Sequence, residues 1–185
     1  LEKVFEMGRT FRNEGVSYKH NPEFTMLEWY EAYADYNTTA ERCEQLVAYV
    51  ADEVGYEGEI DFTPPWRRET LAGAIESRTG VDILVDRDLE SLRARMRERG
   101  LEVPEEETWG QVVDHLVSKH VEPTLIQPTF LLDYPVELSP FAKRHRSEEG
   151  LVERFEPVVG GMEIGNAFTE LNDPDDQRRR FEQQR

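Results

Sequence analysis

The chain has 185 residues, 38% hydrophobic and 33% charged, which gives room for one domain with a sizeable core. This composition excludes global disorder, and no apolar run approaches the roughly 20 residues that a membrane-spanning helix needs. The net charge of −17 argues against a free-standing nucleic-acid-binding module, because such modules need a basic surface for phosphate contacts.

The N-terminal third predicts a β-hairpin followed by a helix. Apolar and charged residues alternate over residues 3–12, residues 13–22 are polar and turn-rich, and residues 23–33 are rich in aromatics. An amphipathic stripe then predicts a helix, with Thr38 or Thr39 as its N-cap and Gly55 at its end. The stripe consists of Cys43, Leu46, Val47, Val50 and Val54.

The middle of the chain predicts three further helices, over residues 67–78, 88–99 and 108–120. We expect the block at about 66–122 to be a helical insertion packed on one side of a sheet. Strand character returns at 125–134 and 152–171, and Asp173 with Pro174 begins a last helix. The order of elements predicts an α+β fold, an antiparallel β-sheet with flanking helices.

The acidity has two explanations that composition cannot separate. A basic surface could lie in another part of the protein, or a highly charged surface could keep the protein dissolved in a salt-rich cytoplasm. Cys43 is the only cysteine, so we expect a reduced core residue in a cytoplasmic protein. Residues 1–6 have strand character and do not read as a signal peptide, which leads us to expect that the chain begins within a longer protein.

The predicted hairpin carries the first group of candidate site residues. In a strand, Phe24, Glu28 and Tyr30 share one face with Met26, an unusual mixture for a core. The face is either the half-buried margin of a sheet or a pocket that stacks a flat ring and binds an ammonium group. Arg12 and Glu14 flank the start of the loop, and His20 and Asn21 end it. Each is either a solvated surface group or part of a site in which Arg12 binds a phosphate and His20 and Asn21 add donors.

A second group lies between residues 156 and 170. Asn166, Phe168 and Glu170 alternate onto one face. Glu156 and Glu163 would face opposite ways in a regular strand, but a bulge at the intervening glycine pair could bring them to the same side. Two such carboxylates can hold Mg²⁺, although acidic residues are common here, at 39 of 185.

Three segments resemble the lysyl type of class II aminoacyl-tRNA synthetases. Residues 9–36, RTFRNEGVSYKHNPEFTMLEWYEAYADY, resemble motif 2 of that class. Residues 133–145, DYPVELSPFAKRH, and residues 161–173, GMEIGNAFTELND, resemble lysyl-type segments that follow it in the same order and at similar spacing. The resemblance covers most of the chain and is least distinctive over 66–122.

The resemblance implies a role for each candidate residue. Arg12 would bind the α-phosphate of ATP, Glu14 would accept from the adenine amino group, and Phe24 would stack on adenine. His20 and Asn21 would assist with the triphosphate and adenine. Glu156 and Glu163 would hold Mg²⁺. The lysine pocket would consist of Glu28, Tyr30, Asn166, Phe168 and Glu170, with Glu170 near the ε-ammonium group.

The resemblance also implies lysine–tRNA ligase activity with ATP, L-lysine and tRNA(Lys) as partners. It further implies a homodimeric full-length enzyme in the cytoplasm, with no membrane partner. The 185 residues would be a partial catalytic domain, because the N-terminal OB-fold, motif 1 and motif 3 do not occur in them. We therefore expect this chain alone to be inactive. Met162 stands where many relatives have a basic residue, and no role is assigned to it.

Two other functions compete with this interpretation. A lysyl-synthetase paralogue that modifies a translation factor would also lack the OB-fold, although residues 25–36 look more like the tRNA enzyme. A truncated, non-catalytic module would bind nucleotide or amino acid without turnover. An aspartyl or asparaginyl type fits less well, because those pockets need a cation where this chain offers Glu28 and Glu170.

Overall fold

The first 34 residues form an antiparallel hairpin. The computed structural model describes residues 1–13, 15–17 and 19–183, and it divides into two units, Leu1–Ala34 and Asp35–Arg185. In the first unit, β1 (Lys3–Phe11) pairs with β2 (Glu23–Glu31), with Gly8 opposite Met26. The Arg12 amide donates to the Pro22 carbonyl at 2.9 Å, which extends the pairing into the loop. The predicted hairpin is confirmed.

The second unit is built on a five-stranded sheet. Its strands are β3 (Arg67–Thr70), β4 (Thr129–Pro135), β5 (Leu151–Val159), β6 (Met162–Glu163) and β7 (Ala167–Phe168). The order is β3-β4-β5-β6, and β7 also pairs with β5. All pairs are antiparallel except β3 with β4. The predicted α+β class with an antiparallel sheet and flanking helices is confirmed.

Five α-helices accompany this sheet in the part of the chain that the structure describes. They are α1 (Tyr36–Glu53), α2 (Leu71–Thr79), α3 (Leu89–Glu98), α4 (Trp109–Leu116) and α5 (Pro174–Gln183). A π-helical turn, Val117–Val121, continues α4. No described helix is long and apolar enough to cross a membrane.

Two predicted helix starts are wrong. The N-cap of α1 is Asp35, not Thr38 or Thr39, because the Asp35 carboxylate accepts from the amides of residues 37 and 38. Thr39 instead donates its hydroxyl to the Asp35 carbonyl. The helix predicted from residue 67 begins only at Leu71, because Arg67–Thr70 pairs with β4 as a strand and Thr70 caps α2.

The two faces of the sheet are covered differently. One face, here called the three-helix face, packs against α2, α3 and α4, as predicted for the helical block. Its buried core combines side chains of the helices and of the sheet, including Ile75, Leu92, Leu116, Leu131, Val152 and Val158. The opposite face, here called the aromatic face, carries Phe130 and Phe155 in edge contact, with Trp66 stacked on Phe130.

The predicted stripe of α1 is buried only at its beginning. Cys43 is 8% exposed, whereas Leu46, Val50 and Val54 are exposed. Burial raises the pKa of the Cys43 thiol to about 11, so it is a protonated thiol at neutral pH. The prediction that Cys43 is a core residue is therefore confirmed.

Candidate functional site

The predicted ATP-binding residues of the hairpin lie at its loop end. The guanidinium group of Arg12 stands 5.5 Å from the ring centre of Phe24, so a cation and a flat aromatic surface lie side by side. The Ser17 hydroxyl and the His20 ring bond each other at 3.0 Å and fix the turn of the loop. Asn21 is exposed beside it. Glu14 lies outside the described residues.

The predicted lysine-binding residues of β2, Glu28 and Tyr30, share one face with Phe24, as the alternation of side chains along a strand predicts. Phe24, Glu28 and Tyr30 stand opposite residues 10, 6 and 4 of β1. Phe24 is half-buried, while Glu28 and Tyr30 are exposed. Glu28 pairs directly with Glu6, so two carboxylates face each other across the strands. Like charges directly opposite each other destabilise a hairpin. A cation bound between the two carboxylates would relieve this repulsion, so the pair suits an ammonium group.

In the second unit, Glu156 and Glu163 lie on the same face of the sheet. Gly160 and Gly161, with φ of 60° and 76°, make a two-residue turn that joins β5 to β6. This turn places Glu163 opposite Val158, whose side chain belongs to the three-helix face that Glu156 also occupies. The expected convergence is confirmed, but a hairpin turn produces it rather than a bulge.

Glu156 is held in place through both carboxylate oxygens. The Tyr134 hydroxyl donates to its Oε2 at 2.6 Å, and Arg154 donates to its Oε1 in a close ion pair. Burial, followed by the charge of Glu156, raises the pKa of the Tyr134 hydroxyl well above its usual value. Tyr134 therefore remains a hydrogen-bond donor throughout the physiological range of pH.

A pocket of about 580 Å³ opens on the three-helix face around these groups. Glu156, Glu163 and Arg154 contribute from the sheet, and Asp114 contributes from α4. Loss of solvent around its carboxyl group, followed by the charge of Glu156, raises the pKa of Asp114. Acidic side chains outnumber basic ones in the lining of the pocket, so it suits a ligand that brings positive charge.

The remaining predicted lysine-pocket residues follow along the same edge of β5. Phe168 pairs with Arg154 and packs against the core of the three-helix face. The Asn166 side-chain oxygen accepts from Arg154 Nε at 3.0 Å. Glu170 forms an isolated bridge with Ala142, and burial raises the pKa of its carboxyl. The structure thus brings Asn166 and Phe168 to the strand that carries Glu156.

Three residues of this site were not predicted from the sequence. Arg154 and Tyr134 contact Glu156 directly, and Asp114 lines the same pocket. Arg154 could have been found, because it lies two residues before Glu156 and so on the same face of a strand. Tyr134 and Asp114 gave no such signal, since their placement depends on strand register and on helix packing.

The carboxylates of this site suit Mg²⁺ only in part. Within the described ranges, no group of three or more His, Cys, Asp or Glu side chains is arranged to hold a metal ion. Glu156 and Glu163 nevertheless offer carboxylates on one face, and each oxygen of Glu156 keeps a second lone pair beyond its present bond. Mg²⁺ commonly takes one or two protein carboxylates and completes its shell with phosphates and water. The residues fit a metal that is bound together with a phosphate-bearing substrate.

The fold and this site define the class of the protein. The chain belongs to the family of class II tRNA synthetases (D, K and N), whose model matches residues 1–185. It is 54% identical over 191 aligned residues to a protein named Lysine–tRNA ligase from Roseiflexus castenholzii. It is also 52% identical over 194 residues to one of the same name from Clostridium perfringens. Each alignment covers 100% of this chain and 39% of the relative, so the chain spans about two fifths of their length.

Proposed function

We propose that this chain is part of the catalytic domain of a lysine–tRNA ligase, with the block at about 66–122 as a helical insertion. The observation that carries the proposal is the match over the whole chain, at 52–54% identity, to relatives named Lysine–tRNA ligase. The carboxylates of Glu28 and Glu170 support it, because a lysine substrate brings the positive charge with which they would pair.

In this proposal, lysine is recognised by carboxylates and an amide. The residues that the resemblance implies for this role are Glu28, Tyr30, Asn166, Phe168 and Glu170. Glu170 is exposed, but partial loss of solvent raises the pKa of its carboxyl, so the ionised form gains when an ammonium group binds beside it. A neutral amino acid would leave these carboxylates without a partner, and this penalty would supply the specificity.

ATP would bind through the residues at the loop end of the hairpin. Phe24 would stack on adenine and Glu14 would accept from its amino group. Arg12, beside Phe24, would carry the positive charge to the α-phosphate, with His20 and Asn21 adding donors. Glu156 and Glu163 would hold Mg²⁺, which when bound would neutralise charge on the phosphates.

The proposed reaction needs no nucleophile from the protein. The lysine carboxylate attacks the α-phosphate in line, pyrophosphate leaves, and a lysyl-adenylate forms. Arg12 stabilises the charge that develops on the α-phosphate, while the lysine-binding residues orient the attacking carboxylate. The terminal ribose hydroxyl of tRNA(Lys) then attacks the adenylate carbonyl and releases AMP. We extend the proposal to a homodimeric full-length enzyme in the cytoplasm.

Lysine-dependent exchange between ATP and pyrophosphate tests this proposal. The assay uses the complete gene product that carries this sequence, at low and high salt, with lysine, aspartate and asparagine compared in parallel. We expect exchange with lysine alone, since aspartate and asparagine have no cationic side chain to pair with the carboxylates of the lysine site. Exchange with another of these amino acids, or none under any salt condition, would refute the proposal.

A second arm tests whether the 185 residues act alone. The chain itself is assayed beside the complete gene product under identical conditions. We expect no exchange from the chain. The resemblance implies that ATP binding needs a second arginine from motif 3, a segment that does not occur in these 185 residues. Exchange by the chain alone would show that this arginine is dispensable.

A further inference from the structure

Arg154 is the most connected side chain of the pocket. Its Nε donates to Asn166 Oδ1 at 3.0 Å, and its Nη1 donates to the Leu138 carbonyl and the Ser139 hydroxyl, both at 2.8 Å. Its Nη2 donates to Glu156 in the close ion pair. These bonds use four of the five N–H groups of the guanidinium, so its orientation is fixed from several directions.

Arg154, Tyr134 and Glu156 form a closed triangle. The guanidinium stands 4.5 Å from the ring centre of Tyr134, and the hydroxyl of that same ring donates to Glu156 at 2.6 Å. Arg154 therefore contacts Glu156 directly and also supports the tyrosine that holds its other oxygen. Removing the guanidinium would loosen both contacts of the carboxylate.

The same arginine determines how Asn166 is oriented. A guanidinium has only N–H donors, so the amide atom of Asn166 that faces it must be the oxygen. The amide nitrogen of Asn166 is then directed away from Arg154. The Asn166 side chain thus presents N–H donors to a ligand on its other side. An anionic group, such as the carboxylate of an amino acid, requires donors of this kind.

We propose that Arg154 is a positioning residue that fixes Glu156 and Asn166 together and so couples the metal-binding carboxylate to the lysine pocket. This inference rests on the proposed function, which supplies the roles of Glu156 and Asn166. Arg154 acts through these two residues and has no contact of its own with the reacting atoms.

The structure offers a matched control on the opposite face of the same strand. Arg146 donates to Glu153 Oε1 at 2.6 Å and to Asp35 Oδ2 at 2.7 Å, so it also holds a residue of β5 together with a second side chain. Glu153 lies on the aromatic face, away from the pocket that contains Glu156. Arg146→Met therefore removes a more exposed arginine that also holds a glutamate of β5, and it leaves the contacts of Glu156 and Asn166 with Arg154 in place.

The test compares Arg154→Met, Arg154→Lys and Arg146→Met in the complete gene product. Lysine affinity is measured by calorimetry, Mn²⁺ binding in the presence of ATP by electron paramagnetic resonance, and KM and kcat by pyrophosphate exchange. We expect Arg154→Met to weaken both lysine and metal binding by roughly 10- to 100-fold, the range for residues that orient a ligand. Arg154→Lys keeps the charge but loses the planar fork, so we expect metal binding to recover in part and lysine affinity to stay low.

A double-mutant cycle separates positioning from general stability. In a protein that already carries Asn166→Ala, Arg154→Lys should change lysine affinity less than twofold, because Arg154 influences lysine binding by orienting the Asn166 amide. Arg146→Met should lower thermal stability and leave both affinities unchanged. If the parent protein is active and the Arg154 variants lose only kcat or stability, the positioning role is refuted while the function stands. A parent protein without lysine-dependent exchange overturns both.

Discussion

At the scale of single residues, β5 carries two glutamates that arginines hold on opposite faces. Glu153 is 2% exposed, and burial alone would raise the pKa of its carboxyl. Hydrogen bonds from Arg146 and Thr169, together with the charge of Arg146, outweigh that effect and leave the pKa below its usual value. Glu156 has Arg154 in the same role, but it opens into a pocket. Of these two glutamates, only Glu156 is therefore placed to bind a ligand.

The alternation of residues 166–170 was enough to predict that Asn166 and Phe168 share a face. It was not enough to predict the bond between Asn166 and Arg154. That bond joins β5 to the residue before β7, and β7 pairs with β5 one residue out of the register that the β5–β6 turn sets. Sequence alternation defines faces within a strand, whereas contacts between strands depend on their register.

Glu170 provides a prediction about pH. Burial raises the pKa of its carboxyl, so protonation begins at a higher pH than for an ordinary glutamate. A protonated carboxyl no longer attracts the ε-ammonium group, so the KM for lysine should rise as the pH falls from neutral into the acidic range in which this carboxyl takes up a proton. The measurement is KM against pH by pyrophosphate exchange, with the KM for ATP as the internal control.

The Glu170→Gln variant separates binding from folding. A raised carboxyl pKa in the folded state means that the ionised form opposes folding above that pKa, and that protonation relieves the effect as the pH falls. The variant should therefore unfold at the same or a higher temperature at neutral pH, while its lysine KM is high and nearly independent of pH. A pH-dependent KM in the glutamine variant would place the titrating group elsewhere.

At the scale of elements, local signals predicted those helices whose caps and apolar periodicity agree. The helix predicted over 88–99 is α3: Asp88 caps it, Leu92 and Met96 are buried, and Gly100 follows with φ of 68°. Residues 67–70 were predicted as helix because their own composition does not distinguish helix from strand. Their strand conformation comes from pairing with β4, a contact between segments about 60 residues apart.

The turn between β5 and β6 provides the prediction for this scale. Both glycines have positive φ, and Gly160 has space beside it, since an added Cβ would come no closer than 3.8 Å to Ile60. Gly160→Val should lower the free energy of unfolding by about 1–2 kcal/mol, because a branched side chain opposes the left-handed conformation. Gly160→Asn should cost less, since asparagine tolerates that conformation. Urea unfolding of the two variants measures the difference.

The same variants also test the placement of Glu163. If the turn positions this carboxylate, Gly160→Val should weaken Mn²⁺ binding in the presence of ATP more than Gly160→Asn does. Equal stability of the two variants would contradict the turn geometry. If the two variants differ in stability but bind the metal equally well, the turn does not determine the position of Glu163.

At the scale of the whole molecule, the charge of −17 leads to a prediction about salt. Mutual repulsion among 39 acidic side chains, against 22 basic ones, opposes folding and is screened over a Debye length of roughly 10 Å at 0.1 M salt and 3 Å at 1 M. We expect Tm, followed by circular dichroism, to rise between about 0.01 and 0.3 M KCl and then level off. Choline chloride at equal ionic strength should act alike, because screening does not depend on the cation. If Tm continues to rise to about 2 M with KCl but not with choline chloride, the protein is adapted to a salt-rich cytoplasm. If Tm falls as salt is added, attraction within ion pairs outweighs the repulsion.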